Sequence, residues 1–404
     1  MTKKMNIPFS PPDITEEEIA EVADALRSGW ITTGPRVKEL ERQLAEYMGV
    51  KRCVCLNSQT ACAEMALRVL GVGPGDEVIV PAYTYTASAS VICHVGATPV
   101  MVDCSVDSLE MDYKAMGEAI TERTKAVIPV DLGGVPCDYD KIFAVLESKS
   151  ELFRPNSEVQ EALGRVAVCE DAAHGLGAVY HGRMIGSIAD FTSFSFHAVK
   201  NFTTAEGGCL TWNLPGAVLD DEVYKKVQLL SLHGQSKDAL AKTKLGAWEY
   251  DVLGPWYKCN MTDIQAALGL VQLKRYQGML ARRKQLIGLY DDALAPLDVE
   301  SLPHYQAGLS SSGHLYICRV PGISPEKRNE IIEAMAERGV ATNVHYKPLP
   351  LLTAYKDLGF DIADYPNAYA RFANEVTLPL HTCLTDEEAR YVVESFAEIV
   401  ESAR

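Results

Sequence analysis

The sequence lacks both a surplus of positive charge and a long apolar run. Its 404 residues carry 38 basic and 54 acidic side chains, which gives a formal net charge of −16. Nucleic acid and anionic lipid repel such a chain at long range, so neither is predicted as a generic partner. The most apolar stretch, residues 87–102, is interrupted by His94, Gly96 and Pro99 and is too short for a membrane helix.

The sequence also lacks Cys-x-x-Cys pairs and an apolar N-terminal segment. Its eleven cysteines, an odd number, lie mostly inside apolar runs such as CVCL and VAVCED, which is typical of reduced, buried thiols. Lys3 and Lys4 are followed by no apolar segment, so no secretory signal peptide is predicted. We therefore expect a cytoplasmic protein, with its excess acidic residues on a solvated surface and with no metal-binding residues.

What is present is an alternation of short apolar runs and helix-length segments over the first two-thirds of the chain. The runs are CVCLN (53–57), EVIVP (77–81), ATPVMVD (97–103), TKAVIPVD (124–131) and RVAVCED (165–171), followed by DFTSFSF and GGCLTW. Near-continuous runs of Val, Ile and Ala are typical of strands buried on both faces of a mostly parallel sheet. The sequence therefore predicts an α/β fold with crossover helices.

The pattern changes after residue 260. Residues 262–294 have apolar side chains at helical spacing and open with a T-x-x-Q capping box, which predicts one long helix or two helices. The strand HLYICRV, a helix that opens with Ser-Pro, the segments VATNVHY and EVTLPL, and a last helix follow. We expect a large α/β domain over residues 1–260 and a small α+β domain over residues 261–404.

A carboxylate and an amine follow two of the predicted strands. RVAVCED ends in Asp171, and FTSFSF, which contains Ser195, is followed by His197 and, three residues later, by Lys200. The carboxyl ends of strands line the ligand crevice of open α/β sheets, so these groups should lie at one crevice. A carboxylate keeps the ring nitrogen of a pyridine cofactor protonated, and an amine forms a Schiff base with its aldehyde.

A small polar turn, residues 57–61 (NSQTA), links a predicted strand to a helix. The first N–H groups of a helix have no internal partner and suit a phosphate, even in an acidic protein. Ser and Thr also cap helices that bind nothing, so the turn alone leaves both interpretations open.

Taken together, these blocks resemble the DegT/DnrJ/EryC1/StrS family of pyridoxal-phosphate sugar aminotransferases. The matching blocks are SGWITTGP, NSQTA, GVGPGDEVIVPAYTYTA, EDAAHGLGAVYHGR, FSFHAVKNFTTAEGG, SLHG and YKCNMTDIQAALGLVQL. HAVKN, AEGG and Y-K-x-N-x-T-D look most like the branch that contains UDP-4-amino-4-deoxy-L-arabinose aminotransferase and its bacillosamine-type relatives. The resemblance implies the fold-type-I, aspartate aminotransferase-like architecture, with pyridoxal 5'-phosphate as cofactor and pyridoxamine 5'-phosphate between the half-reactions.

The resemblance also implies roles for individual residues. Lys200 would be the Schiff-base lysine, and Asp171 would pair with the ring nitrogen of the cofactor. His174 would lie near the cofactor's phenolic oxygen or support Asp171, unless it is an ordinary core histidine. Tyr85 would stack on the cofactor ring, although core packing is the alternative.

Further positions match the family at the cofactor phosphate, the subunit interface and the substrate. The phosphate-binding positions are matched by Gln59, Thr60 and Ser195. Lys258 and Asn260 match a loop that reaches the neighbouring subunit's active site, which implies a homodimer with shared sites. The candidate substrate contacts are His345, Arg183 and Lys347.

The reaction implied by the resemblance moves an amino group from L-glutamate, leaving 2-oxoglutarate, to a nucleotide-linked keto sugar. A UDP-linked 4-keto sugar and a role in surface polysaccharide are expected, while the carbon that is aminated, C3 or C4, stays open. One alternative is a sugar dehydratase, but that branch replaces the lysine with histidine, against Lys200. The other alternative is a non-enzymatic sensor. No appended DNA-binding helices and no basic tail are visible in the sequence, which argues against a sensor.

Four features depart from the family pattern. Gln59 stands where Gly or Ala is usual, Asp131 where His is usual, and Cys259 where an aromatic residue is usual. The segment 149–165 is longer than the usual connection, and we expect it to form a surface insertion.

Overall fold

Strands and helices alternate along most of the chain in the computed structural model, which describes residues 4–236 and 249–403. The strands are β1 (Cys53–Leu56), β2 (Glu77–Pro81), β3 (Thr98–Val102), β4 (Thr124–Val127), β5 (Ala167–Asp171), β6 (Val179–Tyr180), β7 (Arg183–Met184), β8 (Phe191–Ser195), β9 (Gly208–Trp212), β10 (Glu300–Ser301), β11 (Tyr305–Gln306), β12 (Leu309–Ser310), β13 (Tyr316–Arg319) and β14 (Glu375–Leu378). The helices are α1 (Glu16–Arg27), α2 (Pro35–Met48), α3 (Gln59–Leu70), α4 (Thr86–His94), α5 (Tyr113–Glu118), α6 (Tyr139–Ser148), α7 (Glu158–Leu163), α8 (Ala217–Ser231), α9 (Asp263–Leu294), α10 (Pro325–Glu337), α11 (Thr353–Asp357), α12 (Pro366–Ala373) and α13 (Asp386–Ala403).

Seven strands form one central sheet in the order β1-β9-β8-β5-β4-β2-β3. The neighbours from β8 to β3 are all parallel, whereas β9 runs antiparallel to both β1 and β8. The sheet is therefore mostly parallel, as the apolar runs predict. The carboxyl ends of β1, β5 and β8 and the start of β9 consequently meet at one edge of the sheet.

Both faces of this sheet are covered, because successive strand residues point to opposite sides. In β2, Val78 and Val80 pack into one core with α3 and α4, while Ile79 packs into a second core with α2 and α6. Because both faces of the sheet are buried, the sequence runs of the central strands are continuously apolar and do not alternate between apolar and polar residues.

The C-terminal part has a core of its own, built from β13, β14, α10, α13 and the second half of α9. α9 is a single helix of 32 residues, and it begins with the predicted capping box. It packs against α1 and α2 as well as α13, and Ile7 from the N-terminal segment joins the C-terminal core. The division at residue 260 stays a prediction, since α9 spans both parts.

The segment 149–165 does not stand free of the body of the protein. It contains a three-residue turn and α7, and Phe153 and Gln160 are buried. The Gln160 side-chain amide donates to the carbonyl of Leu70 (2.9 Å), so the segment covers the C-terminus of α3.

The segment VATNVHY (340–346) takes part in β-pairing only through two isolated bridges, those of Val340 and Asn343. Within the described ranges, no helix is long and apolar enough to span a membrane.

Candidate active site

A cleft of about 500 Å³ opens where the strand ends meet the start of α3 and the segment 343–346. The predicted site residues that line it are Gln59, Thr60, Tyr85, Ser195, Lys200 and His345. Residues separated by almost 300 positions are thus brought to one place by the topology of the sheet.

The turn between β1 and α3 forms the floor of this cleft. Ser58 caps α3 by accepting a hydrogen bond from the Ala61 amide (3.1 Å), which leaves the amides of Gln59 and Thr60 at the start of the helix. These amides have no partner inside the helix and suit an anion. A Cβ on Gly208 would lie 2.5 Å from the Ser58 carbonyl carbon, so only glycine lets β9 pass this turn.

Asp171, at the end of β5, is a buried carboxylate held by hydrogen bonds. Its Oδ2 accepts from the Ser88 hydroxyl (2.6 Å), and its Oδ1 accepts from the Ala173 amide (3.1 Å). The Gln59 side chain also hydrogen-bonds to it, and the same amide donates to Ser193 (3.0 Å). Burial raises the pKa of Asp171, while these bonds and Lys200 oppose the rise.

The Gln59 side chain therefore hydrogen-bonds to Asp171 and does not obstruct phosphate binding. Its side chain is buried under the strand ends, and only its backbone belongs to the helix start. The substitution for the family's usual Gly or Ala adds a donor to the carboxylate.

Lys200 lies in a turn after β8, where its amide donates to the His197 carbonyl (2.9 Å). Burial lowers the pKa of its amine to about 8, and the opposite charge of Asp171 partly offsets that shift. A neutral amine is the nucleophilic form, so this environment suits a reaction with an aldehyde.

His174 is buried but is not bonded to Asp171. Its Nδ1 accepts a hydrogen bond from the Gly133 amide (3.1 Å), so the neutral ring carries its proton on Nε2, 3.3 Å from the Tyr346 hydroxyl. Burial and the charge of Lys200 hold its pKa well below the usual value. Its ring packs against His314 with 4.3 Å between centroids.

His345 faces the cleft with a fixed orientation. Its Nδ1 is 3.0 Å from the Thr377 hydroxyl, which in turn donates to the buried carboxyl of Glu375. Its amide donates to the other oxygen of Glu375 (2.9 Å), and its ring stacks on Phe9. Burial lowers the pKa of His345 to about 4, so the ring is neutral at physiological pH.

Tyr85 precedes α4 and has its ring open to the cleft. Its side chain is 58% exposed, although the ring lies 5.7 Å from that of Tyr346. A tyrosine buried in the core would show no such exposed surface. The position suits stacking on a planar ligand.

Asp171 and His174 are buried beside the cleft, and four further predicted residues also lie outside its lining. Lys258 is exposed and contacts Asn260, whose amide donates to the Thr33 hydroxyl. Arg183, in β7, contacts the Ser187 carbonyl and lines a different surface depression. Lys347 is exposed and directly follows Tyr346.

Three residues of the site were missed by sequence reasoning. Ser88 donates to Asp171, Tyr346 lies beside His174, and His314 packs on His174 while bonding to Asn201 (2.8 Å). Tyr346 directly follows His345, which was predicted, so the sequence could have indicated that Tyr346 also lies at the site. Ser88 and His314 sit in apolar runs, and only tertiary contacts reveal them.

Comparison with known proteins identifies the family. A model of the DegT/DnrJ/EryC1/StrS aminotransferase family matches residues 12–397. This chain belongs to that family. The family resemblance and the fold-type-I architecture are thereby confirmed, and so is pyridoxal phosphate as the cofactor.

Individual relatives match over essentially the whole length. The PMP form of a putative sugar aminotransferase, Spr1654 from Streptococcus pneumoniae, is 61% identical, with a TM-score of 0.96 over 99% of this chain and 100% of that one. Spore coat polysaccharide biosynthesis protein SpsC of Bacillus subtilis is 40% identical over the whole of both chains. PseC of Helicobacter pylori, an aminotransferase involved in the biosynthesis of pseudoaminic acid, is 28% identical, with a TM-score of 0.86 over 98% and 100% of the two chains.

The described residues fit the family's cofactor. A buried carboxylate suits a cationic ring nitrogen, a half-buried amine suits an aldehyde, and helix-start amides suit a phosphate. The placement of Asp171, Lys200 and Thr60 around one cleft provides all three.

Proposed function

We propose that this aminotransferase moves an amino group from L-glutamate to a nucleotide-linked keto sugar. More specifically, we propose that the sugar is a UDP-linked 4-keto sugar. The observation that carries the proposal is the pairing of Lys200 and Asp171 in a cleft that extends to His345. The names of the relatives, a sugar aminotransferase and a spore coat polysaccharide protein, support a sugar substrate and a role in polysaccharide synthesis.

The chemistry is divided among the residues of the cleft. When bound, pyridoxal phosphate supplies an aldehyde that takes up the amino group and a ring that withdraws electrons from the reacting carbon. Lys200 would hold that aldehyde through its amine and, once free, would move protons at its Nζ. Asp171 would keep a proton on the ring nitrogen, and Tyr85 would stack on the ring.

The phosphate is held by backbone amides and hydroxyl groups. The amides of Gln59 and Thr60 point from the start of α3, and Ser195 lies at the end of β8 on the same edge of the sheet. These donors hold an anion without a net positive field, which reconciles phosphate binding with the charge of −16.

The sugar would lie on the side of His345 and Tyr346. Neutral imidazole and phenol groups exchange hydrogen bonds with hydroxyl groups and do not need a charged ligand. Lys347 and, from a partner subunit, Lys258 are the cations we assign to the phosphates of the nucleotide. Arg183 is not assigned to the nucleotide phosphates, because it lines a different surface depression, whereas Lys347 directly follows Tyr346 of the cleft.

We propose a cytoplasmic homodimer with shared active sites. Lys258 and Asn260 do not line the cleft of their own chain, which leaves them available to a neighbouring copy. Exposed apolar side chains surround them in sequence and suit a subunit contact. These side chains are Val252, Leu253, Trp256 and Tyr257.

The decisive experiment supplies UDP- and dTDP-linked keto sugars with ¹⁵N-labelled L-glutamate and follows the products by mass spectrometry. An amino sugar carrying the label is expected with at least one substrate, and 2-oxoglutarate should form in equal amount. Lys200→Ala should give no product, while Lys225→Ala, a change in α8, should match the wild type. Absence of label from every sugar would overturn the proposal.

The same experiment separates the alternatives. A sugar dehydratase would release water and leave the label in glutamate, and a sensor would bind sugar without turnover. The amine of Lys200 favours amino transfer over both, because a dehydratase of this scaffold carries histidine at that position.

A further inference from the structure

A pair of carboxyl groups lies behind the active site, on the opposite face of the sheet. Glu170 precedes Asp171 in β5, so its side chain points away from the cleft, and Asp131 follows the neighbouring strand β4. Both are essentially inaccessible to solvent, with 1% and 0% of their surface exposed. The two side chains lie within hydrogen-bonding reach of each other.

The hydrogen bonds around the pair leave one oxygen atom of each carboxyl group without a donor. Oδ1 of Asp131 accepts from the Cys137 amide (2.9 Å) and the Tyr139 hydroxyl (2.8 Å), and Oε2 of Glu170 accepts from Thr192 (2.8 Å). Oδ2 of Asp131 and Oε1 of Glu170 are buried, and no donor in the described residues reaches either. Two acceptors cannot satisfy each other unless a proton lies between them.

We propose that Asp131 and Glu170 share one proton, carried on Oε1 of Glu170 and donated to Oδ2 of Asp131, and that the pair positions the active-site turn. The charge belongs on Asp131, because its Oδ1 already receives two donors. Glu170 receives the Thr192 hydroxyl on Oε2, with the Tyr139 hydroxyl also in reach, and supplies the proton from Oε1.

The electrostatic surroundings agree with this assignment. Burial raises the pKa of both carboxyl groups, that of Asp131 to about 6 and that of Glu170 further above its usual value. The titratable groups that face them are the Cys137 thiol and the Tyr139 hydroxyl, and neither carboxyl has an ion-pair partner among the described residues. Two ionised carboxylates would therefore repel each other without compensation.

The pair is connected to the residues of the cleft through the backbone. The Asp131 amide donates to the carbonyl of Asp171 (3.1 Å), and the Gly134 amide donates to the carbonyl of Asp131 (3.0 Å). The Gly133 amide in the same turn fixes Nδ1 of His174. Asp131 thus anchors the turn that sets the orientation of His174, and the shared proton removes one negative charge from behind Asp171.

This arrangement also explains one departure from the family pattern. A histidine at position 131 would bring its own N–H to Glu170, whereas an aspartate has none and must use a proton held by its partner. The protonation of the pair does not depend on the proposed function, although the role we give to His174 and Asp171 does rest on it.

Infrared difference spectroscopy of the intact holoenzyme at pH 7 tests the pair directly. The spectrum of wild type minus Glu170→Gln should show the carbonyl stretch of one protonated carboxylic acid, shifted in D₂O. Asp131→Asn should lose the same band, because the introduced amide donates to Glu170 and lets it ionise. Tyr139→Phe, which removes a hydroxyl that donates to Oδ1 of Asp131 and also contacts Glu170, should keep the band, because it leaves Oε1 of Glu170 and Oδ2 of Asp131 in place. Absence of the band from the first difference spectrum would overturn the proposal.

A proton count gives an independent measurement. From about pH 6.5 to 8 the folded pair keeps one proton that the unfolded chain releases, so the unfolding equilibrium constant of the wild type should rise tenfold more per pH unit than that of Glu170→Gln. Equal slopes would refute the shared proton. Neither result depends on whether a sugar substrate is found, so failure here is distinguishable from failure of the proposed function.

The positioning role needs a separate comparison. Asp131→Ala removes the acceptor for Cys137 and Tyr139 and should shift the pH midpoint of the bound cofactor's absorbance, whereas Asp131→Asn should leave it in place. An unchanged midpoint in Asp131→Ala would contradict the positioning role.

Discussion

At the scale of single residues, we predict that the environment of Lys200 controls how fast the protein captures its cofactor. Its pKa is lowered to about 8 because burial disfavours the charged amine. About a tenth of the amine is then neutral at pH 7, compared with well under a thousandth for an ordinary lysine. We expect the rate of covalent capture of pyridoxal phosphate by cofactor-free protein to rise about tenfold per pH unit and to level off near pH 8.

Stopped-flow absorbance at a series of pH values measures this rate. Asp171→Asn is the informative variant, because the charge of Asp171 raises the pKa of Lys200. Its removal should move the plateau to lower pH. A rate that still climbs through pH 10 in the wild type would show that the amine is not perturbed.

Thr377 is predicted to act through His345. Its hydroxyl connects the imidazole to the buried carboxyl of Glu375, so Thr377→Val should release the ring without changing its volume much. Loss of one such bond costs about 1–1.5 kcal/mol, which is about a tenfold loss in kcat/KM for the sugar. Steady-state kinetics with sugar and glutamate varied separately would measure it.

The control for this prediction is Thr342→Val. The Thr342 hydroxyl is buried and has no hydrogen-bond partner among the described atoms, so the same substitution there removes no bond. The half-reaction with glutamate should be less affected than that with sugar in Thr377→Val. Equal losses in both half-reactions would argue against a sugar-specific role for His345.

The sequence made some of these residues predictable and others not. Asp171 and Lys200 follow apolar runs at strand ends, and that local pattern suffices to bring them together. Ser88 and His314 carry no comparable local pattern, because their roles arise from contacts with residues far along the chain. The inward turn of Gln59 likewise depends on Ser193, 134 positions away.

At the scale of secondary-structure elements, Thr262 and Asp263, the T-D of the Y-K-x-N-x-T-D block, each stabilise the start of a helix. Thr262 caps α9, whereas the carboxylate of Asp263 accepts from the amides of Arg36 (3.1 Å) and Val37 (3.0 Å) at the start of α2. Gly34, the N-cap residue of α2, has no side chain to do this. One helix therefore caps another across the core.

Asp263→Ala should destabilise the protein by about 1–2 kcal/mol, because it leaves two helix-start amides without an acceptor. Chemical denaturation of the full chain at saturating cofactor measures the loss. Asp292→Ala, at an exposed position of the same helix, should change stability by less than about 0.5 kcal/mol. Similar losses for the two variants would refute the cross-helix cap.

The elements themselves were largely predictable, but their minor pairings were not. All seven strands of the central sheet coincide with apolar runs, because burial on both faces leaves a strong pattern. The sheet of β6, β7, β11 and β12 joins two-residue strands more than 100 positions apart, and strands that short leave no periodicity to detect. The packing of residues 149–165 on α3 depends in the same way on a distant contact.

At the scale of the whole molecule, we propose that the cleft of one chain takes a cation from a second chain. Lys258 and Asn260 bond to each other beside an exposed apolar segment, outside the lining of their own cleft. A two-fold dimer that covers this segment would bring Lys258 to the partner's site, with both sites equivalent. The resemblance of Lys258 and Asn260 to a family loop already predicts this arrangement, and the structure adds that neither residue lines the cleft of its own chain.

Subunit complementation tests the shared site. In a dimer that pairs Lys200→Ala with Lys258→Ala, one site has both mutations and the other has neither, because Lys258 comes from the opposite chain. Random mixing of the two variants after dissociation should therefore recover about a quarter of wild-type activity. If Lys258 acts within its own chain, every site in the mixture carries one defect or the other, and activity should not exceed the mean of the two separate variants. Sedimentation analysis before and after mixing would establish that the subunits have exchanged.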